Sequence, residues 1–281
     1  MQRVAQRIVI GLVFGYALIA VSQVLGSWGF EDVDAYWDAA LRLRSGEPLY
    51  PAGVDPDNYR VFRYAPWFAW LWVPLTYLPR EAVEVAWGVV LGASGVAVLA
   101  ALVLRRSTAS VALALLLLPW MLSLVLVGNV QPLVVAMLGF GVSRASGPLW
   151  VGIAASLKAV PALWALVFVA RREWLRFAAA ALVAVVLSAS FLLHDTSGYV
   201  TDPGRSGLSL YHYYGPLAWL AGAAVSTGAA LFLAWRRADG VWPAIAIAAM
   251  LLAPRSHITY TTFLAVGLLA GARDRIDDAD R

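Results

Sequence analysis

Residues 8–26 read IVIGLVFGYALIAVSQVLG, and this run decides what kind of protein the chain is. It carries no charge over about the ~20 residues that a helix needs to cross a hydrocarbon core. A basic segment, Met1–Arg7, precedes it, and Ser27-Trp28-Gly29-Phe30-Glu31-Asp32 follows it. A secretory signal has an apolar core of roughly 7–15 residues and a small-residue cleavage site. This run is longer and leads into aromatic and acidic residues, so it reads as an uncleaved first transmembrane helix.

The rest of the chain has the same character. Of its 281 residues, 61% are hydrophobic and 14% charged, with a mean hydropathy of +0.73. A soluble domain has about 25% charged and about 45–50% apolar residues. Lipid must therefore be the solvent for much of this surface. Thirteen Trp and eleven Tyr suit two membrane–water interfaces. The absence of Cys excludes disulfides, thiol nucleophiles and thiolate metal sites. The net charge of +4 comes from 20 Arg and one Lys against 17 acids. Arg pairs (105-106, 171-172, 236-237) fall between apolar runs, the pattern of membrane-flanking anchors, so no nucleic-acid partner is expected.

Apolar runs predict spans at 8–26, 64–79, 82–104, 108–127, 130–143, 147–170, 175–193, 215–235, 241–253 and 256–272. Those at 64–79, 130–143 and 241–253 are short enough to be tilted, broken or re-entrant. The expected fold is all-α, a single integral membrane domain over 1–281 with eight to ten crossings, ten being the first choice. With the N-terminus inside, Arg3, Arg7, Arg80, Arg171, Arg172, Arg176, Arg236, Arg237, Arg273 and Arg275 are cytoplasmic. Loops 27–63 and 194–214 are then outside, and the charged tail 273–281 is inside. Arg105 and Arg106 fall on the wrong side, which points to a misassigned crossing near them.

Loop 27–63 concentrates the chemistry. It holds seven of the 17 acids (Glu31, Asp32, Asp34, Asp38, Glu47, Asp55, Asp57) and four Arg (42, 44, 60, 63). Periodicity predicts a helix over 33–43, with Val33, Tyr36, Trp37 and Ala40 on one face, lying apolar side down in the membrane interface. Asp34, Asp38 and Arg42 form a wet stripe with an ion pair. Asp32 stands off that stripe, either as an N-cap or as a carboxylate that takes a proton from a substrate hydroxyl. Asp32-Val33-Asp34 also resembles, weakly, the metal-binding DxD of soluble glycosyltransferases.

Further signals are sparse. Lys158, the single Lys, lies in an apolar stretch and must pair, snorkel or line a cavity, and Pro161 is placed to break the helix and free a carbonyl for it. Gly128-Asn129-Val130-Gln131-Pro132 reads as a polar turn or as an amide pair lining a cavity. Tyr211-His212-Tyr213-Tyr214 is an aromatic belt or a sugar contact. In Pro254-Arg255-Ser256-His257, Arg255 suits a phosphate and His257 is placed to donate to it, or both are structural. There is no Ser-His-Asp constellation, no phosphate-cradling Gly loop and no His cluster with metal spacing. No metal and no cofactor are expected.

These signals share an order with a known family: Asp32 four residues before Tyr36, then Ala39-Ala40, Gly46-Glu47-Pro48-Leu49-Tyr50, Tyr64-Ala65-Pro66, Gly128–Gln131, Lys158 with Pro161, Arg171–Trp174 and Pro254–His257. The chain resembles glycosyltransferase family 87, the polyprenol-phosphate-mannose-dependent mannosyltransferases of the GT-C fold. Two motifs depart from the family pattern. Its Gly-Gln-x-Asn appears here with the amides exchanged, and its Lys-Pro-x-Pro keeps Lys158 and the second Pro. The chain is also shorter than typical members.

The resemblance implies an inverting transferase that moves a sugar, mannose above all, from a polyprenyl-phosphate carrier to a lipid or glycan acceptor. The expected site is on the outer face of the cell membrane, among membrane lipids. Asp32 matches the first-loop general base, and His257 matches a late His near the donor phosphate. Arg60, Arg63, Arg255 and Lys158 are the expected phosphate ligands. Tyr36, Trp37, Tyr64, Asn129, Gln131 and His212 are the expected sugar or lipid contacts. Two rivals stand beside this reading: a sugar-lipid transporter or flippase, and a non-catalytic lipid-binding subunit. If Asp32 and His257 share no cavity, the enzyme reading weakens.

Overall fold

Prolines and paired arginines punctuate the chain into helices. The computed structural model describes residues 2–26, 29–202, 207–238 and 240–279. Twelve α-helices are described: α1 (Gln2–Leu25), α2 (Glu31–Ser45), α3 (Pro66–Trp72), α4 (Arg80–Leu104), α5 (Thr108–Leu126), α6 (Gln131–Gly141), α7 (Gly147–Leu157), α8 (Ala162–Ala170), α9 (Trp174–Ser188), α10 (Leu210–Trp235), α11 (Val241–Leu252) and α12 (Phe263–Ala279). Short 3-10 turns occupy Pro74–Tyr77, Ala189–Leu193 and Ile258–Thr262. Proline opens α3, α6 and α7, where its missing N–H costs nothing. The Arg pairs close α4, α8 and α10, with Arg106, Arg172 and Arg237 in the left-handed region. Cations there also meet the negative ends of the helix dipoles. The side chains of Arg3, Arg273 and Arg275, the tail's side chains and residues 203–206 of the second loop lie outside the described residues.

Five helical stretches are long and apolar enough to cross a membrane: Val4–Leu25, Arg80–Leu104, Thr108–Leu126, Trp174–Leu193 and Leu210–Trp235. The protein is an all-helical polytopic membrane protein. Helices α6, α7, α8 and α11 have only 9–12 residues. At ~1.5 Å per residue each is about half as long as a hydrocarbon core is thick. They are also the most enclosed, with Val134, Val151, Trp164 and Ile245 fully buried. α1 and α9, by contrast, turn most of their apolar surface outward. A short helix is tolerable where its ends meet protein or a polar cavity instead of lipid.

The contacts between loops define two ends. At one end, Asp32 meets Asn129, Asn129 meets Lys158, Arg255 meets Asp57, and Trp70 meets His194. At the other, Arg176 reaches the carbonyls of Val142 (2.8 Å) and Arg144 (2.9 Å), and Arg171 lies over Trp242. Followed between these ends, the described chain makes ten passes: α1, α4, α5, α6, α7, α8, α9, α10, α11 and α12.

Two expected spans are thereby corrected. Residues 64–79 make no pass, because Pro66, Pro74 and Pro79 confine them to the seven-residue α3 and a 3-10 turn. Residues 147–170 make two passes instead of one, because Lys158–Pro161 forms the tip of the α7–α8 hairpin. The direction of α4 follows from this. Arg80 is at the first-loop end, paired with Asp34, whereas Arg105 and Arg106 join the other Arg pairs. The misplaced arginines of the linear reading came from counting α3 as a span.

The α7–α9 contact depends on Gly152. A Cβ there would stand 2.6 Å from Val183 Cβ and 2.7 Å from the Ala180 carbonyl oxygen. Small residues at such a crossing let two backbones approach closely. Gly152→Ala is expected to destabilise the protein by about 1–3 kcal/mol, the usual penalty of overpacking. A melting curve in detergent that matches wild type would contradict this.

α2 runs longer than predicted, from Glu31 to Ser45, and Gly46 closes it at φ 73°. Its apolar face, Val33, Tyr36, Trp37 and Ala40, is covered by protein. Tyr36 packs its ring against Tyr64, Phe68, Trp72 and Trp87, with centroids 5.0–6.3 Å away. The helix is therefore held to the bundle by an aromatic cluster from α3 and α4, not by lipid alone.

Candidate functional site

Asp32 reaches its position through α2 and one glycine. Phe30 is the residue at the N-cap, so Asp32 lies inside the first turn and does not cap the helix. Its backbone N–H donates to the Val127 carbonyl at 2.9 Å, docking the start of α2 on the turn after α5. Gly128 makes this docking possible. It has φ 77°, and a Cβ on it would run into Val33 Cγ2. Trp87 Nε1 donates to the Gly128 carbonyl at 2.8 Å and holds the turn from the α4 side.

A chain of side-chain bonds leads away from Asp32. Asn129 Nδ2 donates to Asp32 Oδ2 at 2.6 Å. Asn129 Oδ1 accepts from Lys158 Nζ at 3.2 Å and from the Gln131 backbone N–H at 2.9 Å. Lys158 Nζ also donates to Gln131 Oε1 at 2.8 Å, and Gln131 Nε2 donates to Thr262 Oγ1 at 3.1 Å. Lys158 thus takes side-chain amide oxygens where a freed carbonyl was expected, and it lies 5.5 Å from the centre of the Tyr260 ring.

This network forms one wall of a cavity of about 930 Å³. Asp32, Arg63, Tyr64, Asn129, Lys158, Arg255 and His257 all line it. Two arginines also line the cavity. Arg63 and Arg255 both donate to the Pro56 carbonyl, and Arg255 lies 3.5 Å from Asp57. Arg63 Nε is buried with no hydrogen-bond partner among the described residues. Among those residues, no group of three or more His, Asp or Glu is placed to hold a metal ion.

Burial shapes the charges. It raises the Asp32 carboxyl above its ordinary value, against the lowering effects of Asn129, Lys158 and Arg63; Glu31 adds to the rise. Burial, and then Arg255, pull the Arg63 guanidinium down. Burial, and then Arg255, Lys158 and Arg63, hold the His257 imidazole below its ordinary value, opposed by Asp57. His257 is therefore neutral at pH 7. An anion placed among these cations should move its titration upward, which NMR of labelled histidine would report. No movement on adding a lipid monophosphate would place the anion elsewhere.

Several expected site residues are elsewhere. Arg60 is outside the cavity, exposed, and pairs with Asp34 at 3.1 Å. Asp34 also holds Arg80, so it faces away from Asp32, and its ion pairs are with Arg60 and Arg80. Tyr36 and Trp37 are buried in the α2 packing, and Gln131 supports Lys158 from behind the wall. Exposed His212 meets the Tyr213 ring edge-to-face near the start of α10, away from the cavity. Sequence reasoning missed Tyr199 and Tyr260 on the lining. Tyr199 OH donates to the Arg63 carbonyl at 3.0 Å, and neighbouring Gly198 lets the second loop press onto the Tyr50 backbone. Only the proximity of Tyr260 to His257 in the chain could have signalled either.

Fold and site together define a polytopic membrane protein with a carboxylate facing an arginine-lined cavity. The family model described as glycosyltransferase family 87 matches residues 62–201, and the chain belongs to that family. Membership implies membrane glycosyltransferase activity, with a sugar donor, an acceptor and membrane lipids as partners. The matched segment includes Arg63, Tyr64, Asn129, Gln131 and Lys158; Asp32, Arg255 and His257 lie outside it. Neither the curated proteins nor the solved structures include a match.

Proposed function

We propose that the protein is an inverting glycosyltransferase that takes a sugar, mannose first among candidates, from a polyprenyl-phosphate carrier. The observation that carries this reading is that Asp32 and His257, 225 positions apart in sequence (257 − 32), line one cavity with Arg63, Arg255 and Lys158 between them in the chain or beside them in space. The acceptor is a hydroxyl of a lipid or glycan. Asp32 accepts the hydroxyl proton as the oxygen attacks the anomeric carbon, and the bond from that carbon to the phosphate oxygen breaks. The carrier leaves as a phosphate monoester with one more negative charge than the donor had. Arg63, Arg255 and neutral His257 meet that growing charge. Lys158, with two of its three N–H groups on amides, has one left for the cavity.

The sidedness follows from charge. The Arg pairs gather at one end and belong in the cytoplasm, so the cavity end faces outward. The test supplies purified protein with labelled lipid-linked mannose and a hydroxyl acceptor. Transfer by wild type and none by Asp32→Asn is expected. Movement of the sugar-lipid across liposomes with no product would favour a flippase.

A further inference from the structure

We infer that Asn129 is a positioning residue for Asp32, locked in a single amide orientation by Lys158 and the Gln131 backbone; this rests on Asp32 acting as the base. The lock follows from donor and acceptor chemistry. A lysine ammonium and a backbone N–H donate and never accept. Both point at one atom of the Asn129 side chain, at 3.2 and 2.9 Å, so that atom is the carbonyl oxygen. The NH₂ group must then face Asp32, where it lies 2.6 Å from Oδ2. A protonated Oδ2 would present a hydrogen to that NH₂. The arrangement therefore favours the ionised carboxylate and commits Oδ2 to the amide. Oδ1 has no hydrogen bond among the described residues, and it is the oxygen available to an acceptor hydroxyl.

Gln131 completes the lock. Its Oε1 accepts from Lys158 at 2.8 Å, and its Nε2 donates to Thr262, which assigns its amide as well. Lys158 thus acts on Asp32 without touching it, through one amide dipole. The groups that set the charge of Asp32 come from each element packed around it. Glu31 adjoins it on α2, Asn129 is in the turn after α5, Arg63 precedes α3 and Lys158 is on the α7–α8 hairpin, while Tyr36 and Tyr64 lie close enough to feel its charge. Among these, Asn129 alone bonds the Asp32 side chain.

The experiment is the pH profile of kcat/KM for Asn129→Leu and Asn129→Asp, with labelled lipid-linked mannose as substrate. Leu removes the donor to Oδ2. Asp keeps the acceptor for Lys158 and Gln131 but replaces the donor with a like charge. The acid limb should move up in both, more in Asn129→Asp, which should shift by about one unit or more, a tenfold change in proton affinity per unit. kcat should fall at neutral pH while donor KM stays within about twofold, the mark of an interaction that acts on the chemical step. Melting temperature checks folding, and if Asn129→Asp does not fold, Asn129→Leu decides alone. Limbs that coincide with wild type, while Asp32→Asn is inactive, overturn the positioning role and leave the base standing. Wild-type transfer by Asp32→Asn removes the base itself.

Discussion

Asp32→Asn is expected to lower kcat by about 10²–10⁴-fold, the range that general acid–base catalysis contributes. The substitution is close in shape, and an Asn amide can still accept from Asn129 through its oxygen. Folding and donor binding should therefore survive, and the loss should fall on kcat. The sign of the pH dependence is also set. Burial raises the Asp32 carboxyl above its ordinary value. Base activity is present while the carboxylate is ionised and is lost as pH falls through that raised value. The acid limb of wild type should consequently lie above the usual carboxylate range. A limb at the ordinary value would contradict the raised carboxyl, and a variant with full kcat would remove Asp32 from the mechanism.

Gly128→Ala should have the second large effect, and it should be structural first. The residue sits at φ 77°, where a Cβ costs roughly 1–2 kcal/mol. The same Cβ collides with Val33 Cγ2, which adds about 1–3 kcal/mol of overpacking unless α2 moves. Moving α2 breaks the bond from the Asp32 N–H to Val127 and the contact with Asn129. Both stability and transfer should therefore drop. Val33→Ala in the same chain removes the collision and leaves the left-handed strain. The double variant should recover part of the stability and most of the transfer. Failure of Val33→Ala to help would mean that backbone strain alone explains the loss.

The parts of the site differ in how they could be read from sequence. Asp32 stood out because helical spacing set it apart from Asp34, Asp38 and Arg42. Lys158 stood out because a charge in an apolar stretch needs a reason. Arg60 misled, because an Arg in an acidic loop has the same composition whether it faces a cavity or a carboxylate, and here it faces Asp34. The aromatic run Trp67–Trp72 misled for a related reason. Hydropathy counts apolar surface and does not ask whether protein or lipid covers it, and α3 is covered in part by Tyr36 and Trp87.

By itself the sequence determined the solvent and the helices, because apolar runs of this length have no other way to satisfy their backbone in lipid. It marked where helices begin or end, through Pro66, Pro161 and the three Arg pairs, since those effects are local. Tertiary structure alone decided which runs make passes. Lys158–Pro161 forms the tip of the α7–α8 hairpin, and α7 packs closely on α9 at Gly152. It alone decided that the first loop, the Gly128 turn, the Lys158 hairpin and the Arg255 segment close around one cavity. Those contacts join residues 27 to 199 positions apart, and no local pattern records which distant donor an amide will face.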